Sequence, residues 1–326
     1  MSISIAMAVY NGERFIREQL ESFLGQTRLP DELVVSDNAS ADRTVEIVRE
    51  FAARAPFPVR LFINESNLGV TKNFERAIRE CTGDIIFLSD CDDVWYPDKL
   101  QAMEEALARC PEAGVAVCDA DVVDETLRPL GYGLWDSMHF RPSPRTLRKL
   151  AAGRSFLRSA PGQGMCIAFR ARFKALVLPL PGGDHFRRMG HDSFIAWTIS
   201  CSGAAGTIFV PRALAAYRQH SRQMTGAVPP ESTLGRWRRF YRDRRKRAWS
   251  PVFAAVASRL EELPPVPGAV NAQVRSAILR HWHTRASLPP RRLARLRPVL
   301  RELASLRYHR FSSGLLTALK DLLFVE

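Results

Sequence analysis

From residue 3 to residue 117 the chain alternates short apolar runs with segments whose apolar residues recur at helical spacing. This alternation constrains the fold more than any other feature. Residues 3–9 form a nearly continuous apolar run, read as a buried strand, and Phe15, Ile16, Leu20, Phe23 and Leu24 then mark a helix. Residues 33–35, 61–63, 85–88 and 115–117 give four more strands. Val45, Val48 and Phe51, then Phe74, Ala77 and Ile78, then Leu100, Met103 and Leu107 mark the helices between them. Strands joined by helices are βαβ units, so the expected fold is α/β, a mostly parallel sheet flanked by helices on both faces.

In such a sheet ligands sit at the carboxyl ends of the strands. Each strand here delivers polar residues to that edge: Tyr10-Asn11-Gly12, then Ser36-Asp37-Asn38, then Asn64 to Asn67, then Ser89-Asp90-Cys91-Asp92-Asp93, then Asp119 and Asp121. Helix capping accounts for some of them, with Ser40 and Thr71 as N-cap candidates. It does not account for three aspartates in four residues, which repel one another unless a cation sits among them. Oxygen ligands suit Mg²⁺ or Mn²⁺, and Mg²⁺ takes only one or two protein carboxylates and completes its shell with water and phosphate. A solvated acidic turn ahead of the helix near Pro97 is the alternative. Lys72, after a Gly turn at a helix start, is placed to favour an anionic phosphate, or is an ordinary surface lysine.

Composition divides the chain. The net charge is +13, yet residues 227–326 hold 20 basic and 7 acidic residues, so the first 226 residues are neutral. The expected organisation is a neutral module over 1–226 and a basic, mainly helical region over 227–326 whose partner is anionic. Residues 236–247 hold seven Arg and one Lys beside Trp237, Phe240 and Tyr241, and Leu315, Leu316, Leu319, Leu322 and Leu323 form a second apolar stripe. Both suit a membrane surface; the stripe equally suits packing on the neutral module or a partner. At 46% hydrophobic and 25% charged residues the composition excludes a largely disordered chain. Six cysteines without a C-x-x-C pair argue against a zinc site or a disulfide scaffold. The N-terminus lacks the basic region of a signal peptide, and the uncharged window 193–211 reads as a helix and strand broken by glycines.

The motifs "AVYNGERFIREQL", "PDELVVSDNASADRT", "NLGVTKNFERAI" and "LSDCDDVW" occur in the order and spacing of the family 2 glycosyltransferases, and the chain resembles bacterial rhamnosyltransferase-like members. "CDADVVDE", "GHDSFIAW" and "YRQHSRQMTG" extend the resemblance over residues 1–226. It implies a GT-A fold and an inverting, metal-dependent transfer from a nucleotide-diphosphate sugar, dTDP-rhamnose by family likeness. A saccharide or lipid-linked acceptor in surface polysaccharide synthesis would receive the sugar. It further implies that Asp37 contacts the base, that Ala8, Tyr10 and Asn11 line the base and ribose pocket, and that Asp90 faces the ribose or metal. Asp92, with Asp93 beside it, would bind the ion.

Asp192 matches the family's general base, which deprotonates the acceptor hydroxyl; it is also placed to cap the following helix. The family commonly has an acidic residue before this Asp, where His191 stands here. By the same resemblance His220 is a metal or diphosphate ligand, with a structural role as the alternative, and Gly164, Met165 and His191 belong to the acceptor side; Arg218, one of many arginines, could contact phosphate. Trp95 is placed at the acceptor edge or in the core. The implied location is cytoplasmic, peripheral on the inner face of the membrane. Two other readings compete. The Asp90-x-Asp92-x-Val94 pattern matches haloacid-dehalogenase phosphatases, but three βα units precede it. A non-catalytic basic protein binding membrane or nucleic acid explains the tail but not the aspartates, so nucleic acid is not expected as a partner.

Overall fold

The computed structural model describes residues 1–138, 140, 163–182, 190–202, 205–230, 235, 258, 260–262, 272–312 and 314–323. The Arg-rich run at 236–247 and the Pro-rich segment at 264–268 lie outside the described residues.

Among the described residues nine strands form one sheet: β1 (Ile3–Val9), β2 (Glu32–Asp37), β3 (Val59–Ile63), β4 (Ile85–Ser89), β5 (Val94–Trp95), β6 (Ala113–Val123), β7 (Pro129–Gly133), β8 (Ile167–Arg170) and β9 (Gly206–Arg218). Their order is β3-β2-β1-β4-β8-β6-β9-β5, with β7 on β6. The half read from the sequence is the parallel half: β1 pairs in parallel with β2 and β4, and β2 with β3. Beyond β4 the sheet is mixed, because β8 inserts antiparallel to both β4 and β6. Helices α1 (Ile16–Leu24), α2 (Thr44–Ala52), α3 (Val70–Glu80) and α4 (Lys99–Arg109) make the crossovers.

The strand period of two sorts the core into two layers. Ile3, Ile5, Met7 and Val9 of β1 join Ile85 and Phe87 of β4 on one face, packed with Phe23 of α1 and Phe51 of α2. Ala6 and Ala8, with Ile86 and Leu88, face the other way onto Phe74 of α3. Every residue of β1 is buried, which is why the run reads apolar throughout. Each fully buried large side chain in these layers contributes roughly 1.5–3 kcal/mol. The two cap candidates are corrected: α2 starts at Thr44 and α3 follows Gly69, so Ser40 lies before one helix and Thr71 inside the other. Ser40 instead bridges loops, its amide donating to Asp37 Oδ2 (2.9 Å) and its hydroxyl accepting from the Asn11 amide (2.9 Å).

Short helices α5 (Leu134–Ser137) and α6 (Lys174–Val177) precede α7 (Gly190–Cys201). The C-terminal helices are α8 (Ala272–Ala286), α9 (Arg292–Ala304), α10 (Arg307–Phe311) and α11 (Leu315–Leu323). Trp282 and Ile278 of α8 pack with Cys201 and Trp197 of α7, which joins the basic region to the sheet's helical cover. No helix among the described residues is long and apolar enough to cross a membrane.

Several tail charges are internal. Buried Glu302 accepts from His281 Nδ1 (2.7 Å) and from Arg307, and Ser312 Oγ lies 2.8 Å from His281 Nε2. Burial pushes His281 down, so a neutral imidazole donates at Nδ1, accepts at Nε2, and leaves Arg307 to match the Glu302 charge. Despite burial, these hydrogen bonds hold Glu302 down at about 2, against 4.5 unfolded. A depressed carboxylate stabilises the fold above the unfolded value, and that stability is lost as pH falls toward about 2. Unfolding curves between pH 5 and 2 should show the native protein losing roughly 3 kcal/mol more than Glu302→Gln, which is weaker at neutral pH but flatter on acidification.

Candidate active site

The parallel register places the ends of β1, β2 and β4 at one edge, with Val9 opposite Asp37 and Met7 opposite Ser89. The turn after β4 carries the aspartates. Asp90 faces α7: burial, then the charges of Asp92 and Asp192, push its carboxyl up to about 8. No described side chain donates to it. Asp92 faces β9, its Oδ2 2.9 Å from His220 Nε2, and His220 packs on Phe15 with ring centroids 4.8 Å apart. Asp93 Oδ2 is buried and has no hydrogen-bond partner among the described residues. Its side chain is buried, and Oδ1 accepts the Arg218 amide at 3.1 Å, tying the turn to β9. The two-residue β5 explains the meeting, because Val94 pairs with Ala216 and draws the end of β9 onto the turn.

Arg218 is corrected. It is buried, donates from Nε to the Asp92 carbonyl (2.8 Å) and from Nη1 to the Glu125 carbonyl (2.6 Å), and pairs with Glu18. It braces the aspartate turn rather than offering a cation to phosphate. The sequence offered no signal for this brace, because Arg is abundant and Glu18 lies 200 positions away.

Asp192 sits in the first turn of α7 rather than at its cap, since the helix begins at Gly190. Its Oδ1 accepts the Ser193 amide (2.6 Å), and the Gly164 amide also supports the carboxylate. Burial outweighs these bonds and pushes Asp192 up to about 6. Gly164 stands between the parts: a Cβ there would lie 3.1 Å from His191 Nε2 and 3.6 Å from Asp90 Oδ2. His191 stacks on Phe74 at 3.9 Å, and burial drives it down to about 3, so it is a neutral imidazole whose buried Nε2 has no partner among the described residues. Asp90, Gly164, His191 and Asp192 thus converge, and Asp90 feels both Asp92 and Asp192.

Gly190 has φ +77°, and a Cβ there would overlap Asp192 Oδ1. Gly190→Ala should therefore cost about 1–2 kcal/mol and displace Asp192. Thermal melts and turnover should fall together.

Of the residues expected on the acceptor side, Trp95 takes the core alternative and Met165 turns its side chain inward. Trp95 is 2% exposed, with its ring edge-on to Phe23 at 4.8 Å and Lys99 Nζ 4.5 Å from its centroid, so it is a core residue. The Met165 side chain is also core; its carbonyl accepts from buried Lys99 Nζ at 2.6 Å. Lys72 lies on the first turn of α3 as expected, but its ammonium bonds Glu75 (2.6 Å) and the Leu180 carbonyl (2.9 Å).

The expected base pocket is a lattice of loop contacts. Asp37 is fully buried; Oδ2 accepts the Ser40 amide while Oδ1 has no partner among the described residues. Ala8 lines the end of β1, Tyr10 is half exposed, and Asn11 Oδ1 accepts the Ala41 amide at 2.9 Å. Asn38, Asn64 and Asn73 form a chain of side-chain amides that ends on the Val9 carbonyl (3.1 Å).

The mixed sheet flanked by helices, with the aspartates at the carboxyl edge of its parallel half, has the GT-A fold. The family described as Glycosyl transferase family 2 matches residues 4–169, and the chain belongs to that family. Over 99 residues it is 37% identical to dTDP-rhamnosyl transferase RfbG of Shigella flexneri, covering 29% of this chain and 34% of that protein. An uncharacterized Mycobacterium tuberculosis protein is 37% identical over 125 residues, 38% of this chain and 36% of its own. The matches thus span about a third of these curated relatives. The fold is similar to S. aureus TarS 1–349 in complex with UDP-GlcNAc (TM-score 0.58, 16% identity, 96% of this chain and 84% of that one). It is also similar to mannosyltransferase PcManGT from Pyrobaculum calidifontis in complex with GDP-Man and Mn²⁺ (TM-score 0.53, 21% identity, 97% and 77%).

Proposed function

We propose that this protein is an inverting, metal-dependent glycosyltransferase. It moves a sugar, L-rhamnose from dTDP-rhamnose as the first candidate, from a nucleotide diphosphate to a saccharide or lipid-linked acceptor in bacterial surface polysaccharide synthesis. What supports the reading is that Gly164 lies beside both Asp90 and His191 while its amide supports Asp192, which gathers the aspartate turn and the start of α7 around one glycine. The residue 1–226 module does the chemistry, and the 227–326 region holds it peripherally at the inner, anionic face of the cytoplasmic membrane.

The residues fit a divalent cation. No ready group of three ligating side chains stands among the described residues. Asp90 and Asp92 nevertheless crowd two oxygen-donor carboxylates on one turn, and Mg²⁺ or Mn²⁺ needs no more protein ligands than that. Asp92 and Asp90 would hold the ion, with His220 beside Asp92. A bound ion neutralises charge on the diphosphate leaving group. The protein's own residues do the rest. Asp37 Oδ1, buried and without a partner among the described residues, accepts the N3–H of a pyrimidine base. Asp192 takes the acceptor hydroxyl's proton on its carboxylate, and Gly164 and Ser193 keep that oxygen aimed. Neutral His191 offers Nε2 to a sugar hydroxyl without adding charge. Water exclusion follows from the burial of His191 and Asp192, both 8% exposed.

A thermal-shift panel of dTDP, UDP, GDP and CDP, with and without Mn²⁺, tests the donor side, since a ligand that binds only the native state raises its stability. One pyrimidine nucleotide should stand out, and only with the ion. A flat panel, or phosphate release from simple phosphoesters, would remove the reading.

A further inference from the structure

We propose that the outward leucine rows of α9 and α11, with the arginines beside them, form the surface that seats the protein on an anionic lipid bilayer. This deepens, and rests on, the peripheral-attachment reading above.

On α9, Leu293 is 83% exposed, Leu296 43% and Leu300 56%. At helical spacing these three share one face, opposite buried Arg295, Val299 and Glu302. Arg297 and Arg301 flank the row on one side and Arg292 on the other, all exposed. On α11, which packs against α9, Leu315 (64%), Leu319 (49%) and Leu323 (41%) repeat every fourth residue and also face out. Single exposed leucines are ordinary, but six in two helical rows on adjoining helices are not. The internal face of α9 is already satisfied: Val299 packs with Tyr308 and Ala318, and Glu302 is held by Arg307 and His281.

Charge selects the occupant. Every exposed charge on α9 is an arginine, and its single acidic residue, Glu302, is buried. A second copy meeting this face about a two-fold axis would press arginines on arginines, a repulsive arrangement. Nucleic acid would satisfy the arginines and leave the leucines in water. An anionic bilayer satisfies both: leucines enter the acyl boundary while Arg292, Arg297 and Arg301 snorkel to headgroup phosphates. With no described helix able to cross, the helices lie on the surface.

The test is flotation of the full chain with phosphatidylcholine vesicles, with and without about one-third phosphatidylglycerol. Native protein should bind the anionic vesicles and release in high salt. Leu293→Asp with Leu300→Asp, Leu315→Asp with Leu319→Asp, and joint glutamine replacement of Arg292, Arg297 and Arg301 should each weaken binding roughly tenfold or more. Leucine-to-serine pairs with unchanged circular dichroism guard against misfolding, and the nucleotide-induced melting shift should be unchanged in all. If native protein floats and the variants float equally, attachment survives and this surface falls. If native protein binds no vesicle, attachment and surface both fall while the donor reading stands on its melting shift. If the leucine variants instead split an oligomer in light scattering, the occupant is a second copy and the proposal is overturned.

Discussion

Asp192→Asn should lower turnover by roughly 10²- to 10⁴-fold while leaving nucleotide binding intact, the usual range for loss of a general base. Asn matches Asp in shape and still accepts the Ser193 amide through one oxygen, so the start of α7 is retained. It cannot take a proton. Asp192 is pushed up to about 6 by burial, which makes it a stronger base than an exposed carboxylate and still ionised at neutral pH. Below that value the carboxyl is protonated, so the native rate should fall as pH drops through about 6, and a bound cation moves that fall lower. In Asp192→Asn this acid limb should vanish along with most of the rate. Turnover against pH, beside a nucleotide melting shift on the same samples, checks both halves. A variant that keeps its rate, or loses nucleotide binding with it, would show that Asp192 is a helix-start residue and no base.

The donor half of the molecule was legible in the sequence because each element there is local. Strands β1 to β4 are apolar runs with both faces covered, and the polar residues after them fall at one edge by the parallel topology alone. The aspartate turn and Asp37 could be singled out on the same grounds, whereas Asp192 was singled out by the family resemblance alone. What escaped depends on contacts distant in sequence. β8 is four residues long, and its antiparallel insertion, which brings Gly164 beside His191, leaves no periodic trace. Trp95 and Met165 read as rim residues by position, but the short β5 folds Trp95 under α1, and buried Lys99 draws the Met165 carbonyl inward. Asp93 and Arg218 look like cleft charges in one dimension; pairing of β5 with β9 turns them into a brace. The +13 of the tail is likewise two populations, internal pairs such as Arg285–Asp321 and exposed arginines on α9, which composition cannot separate.

Asp92→Ala should abolish the Mn²⁺-dependent part of the nucleotide melting shift and cut turnover about as deeply as loss of the base. At a free ligand concentration about one hundred times Kd, binding adds about 2.7 kcal/mol to stability, a gain that a melt resolves easily. The substitution removes the partner of His220 Nε2 but keeps the backbone anchoring of the turn. Arg218 holds the turn through the Asp92 carbonyl, not its carboxylate, and Asp93 still takes the Arg218 amide. Asp93→Ala is the internal control. It removes a buried hydrogen-bond acceptor and should cost about 1–3 kcal/mol of stability with or without the ion, yet leave the Mn²⁺ increment in place. The two aspartates are neighbours in sequence, so the contrast separates an ion-binding carboxylate from a structural one. Equal loss of the increment in both variants would return Asp93 to the metal, and its persistence in Asp92→Ala would mean that the cation does not sit on this turn.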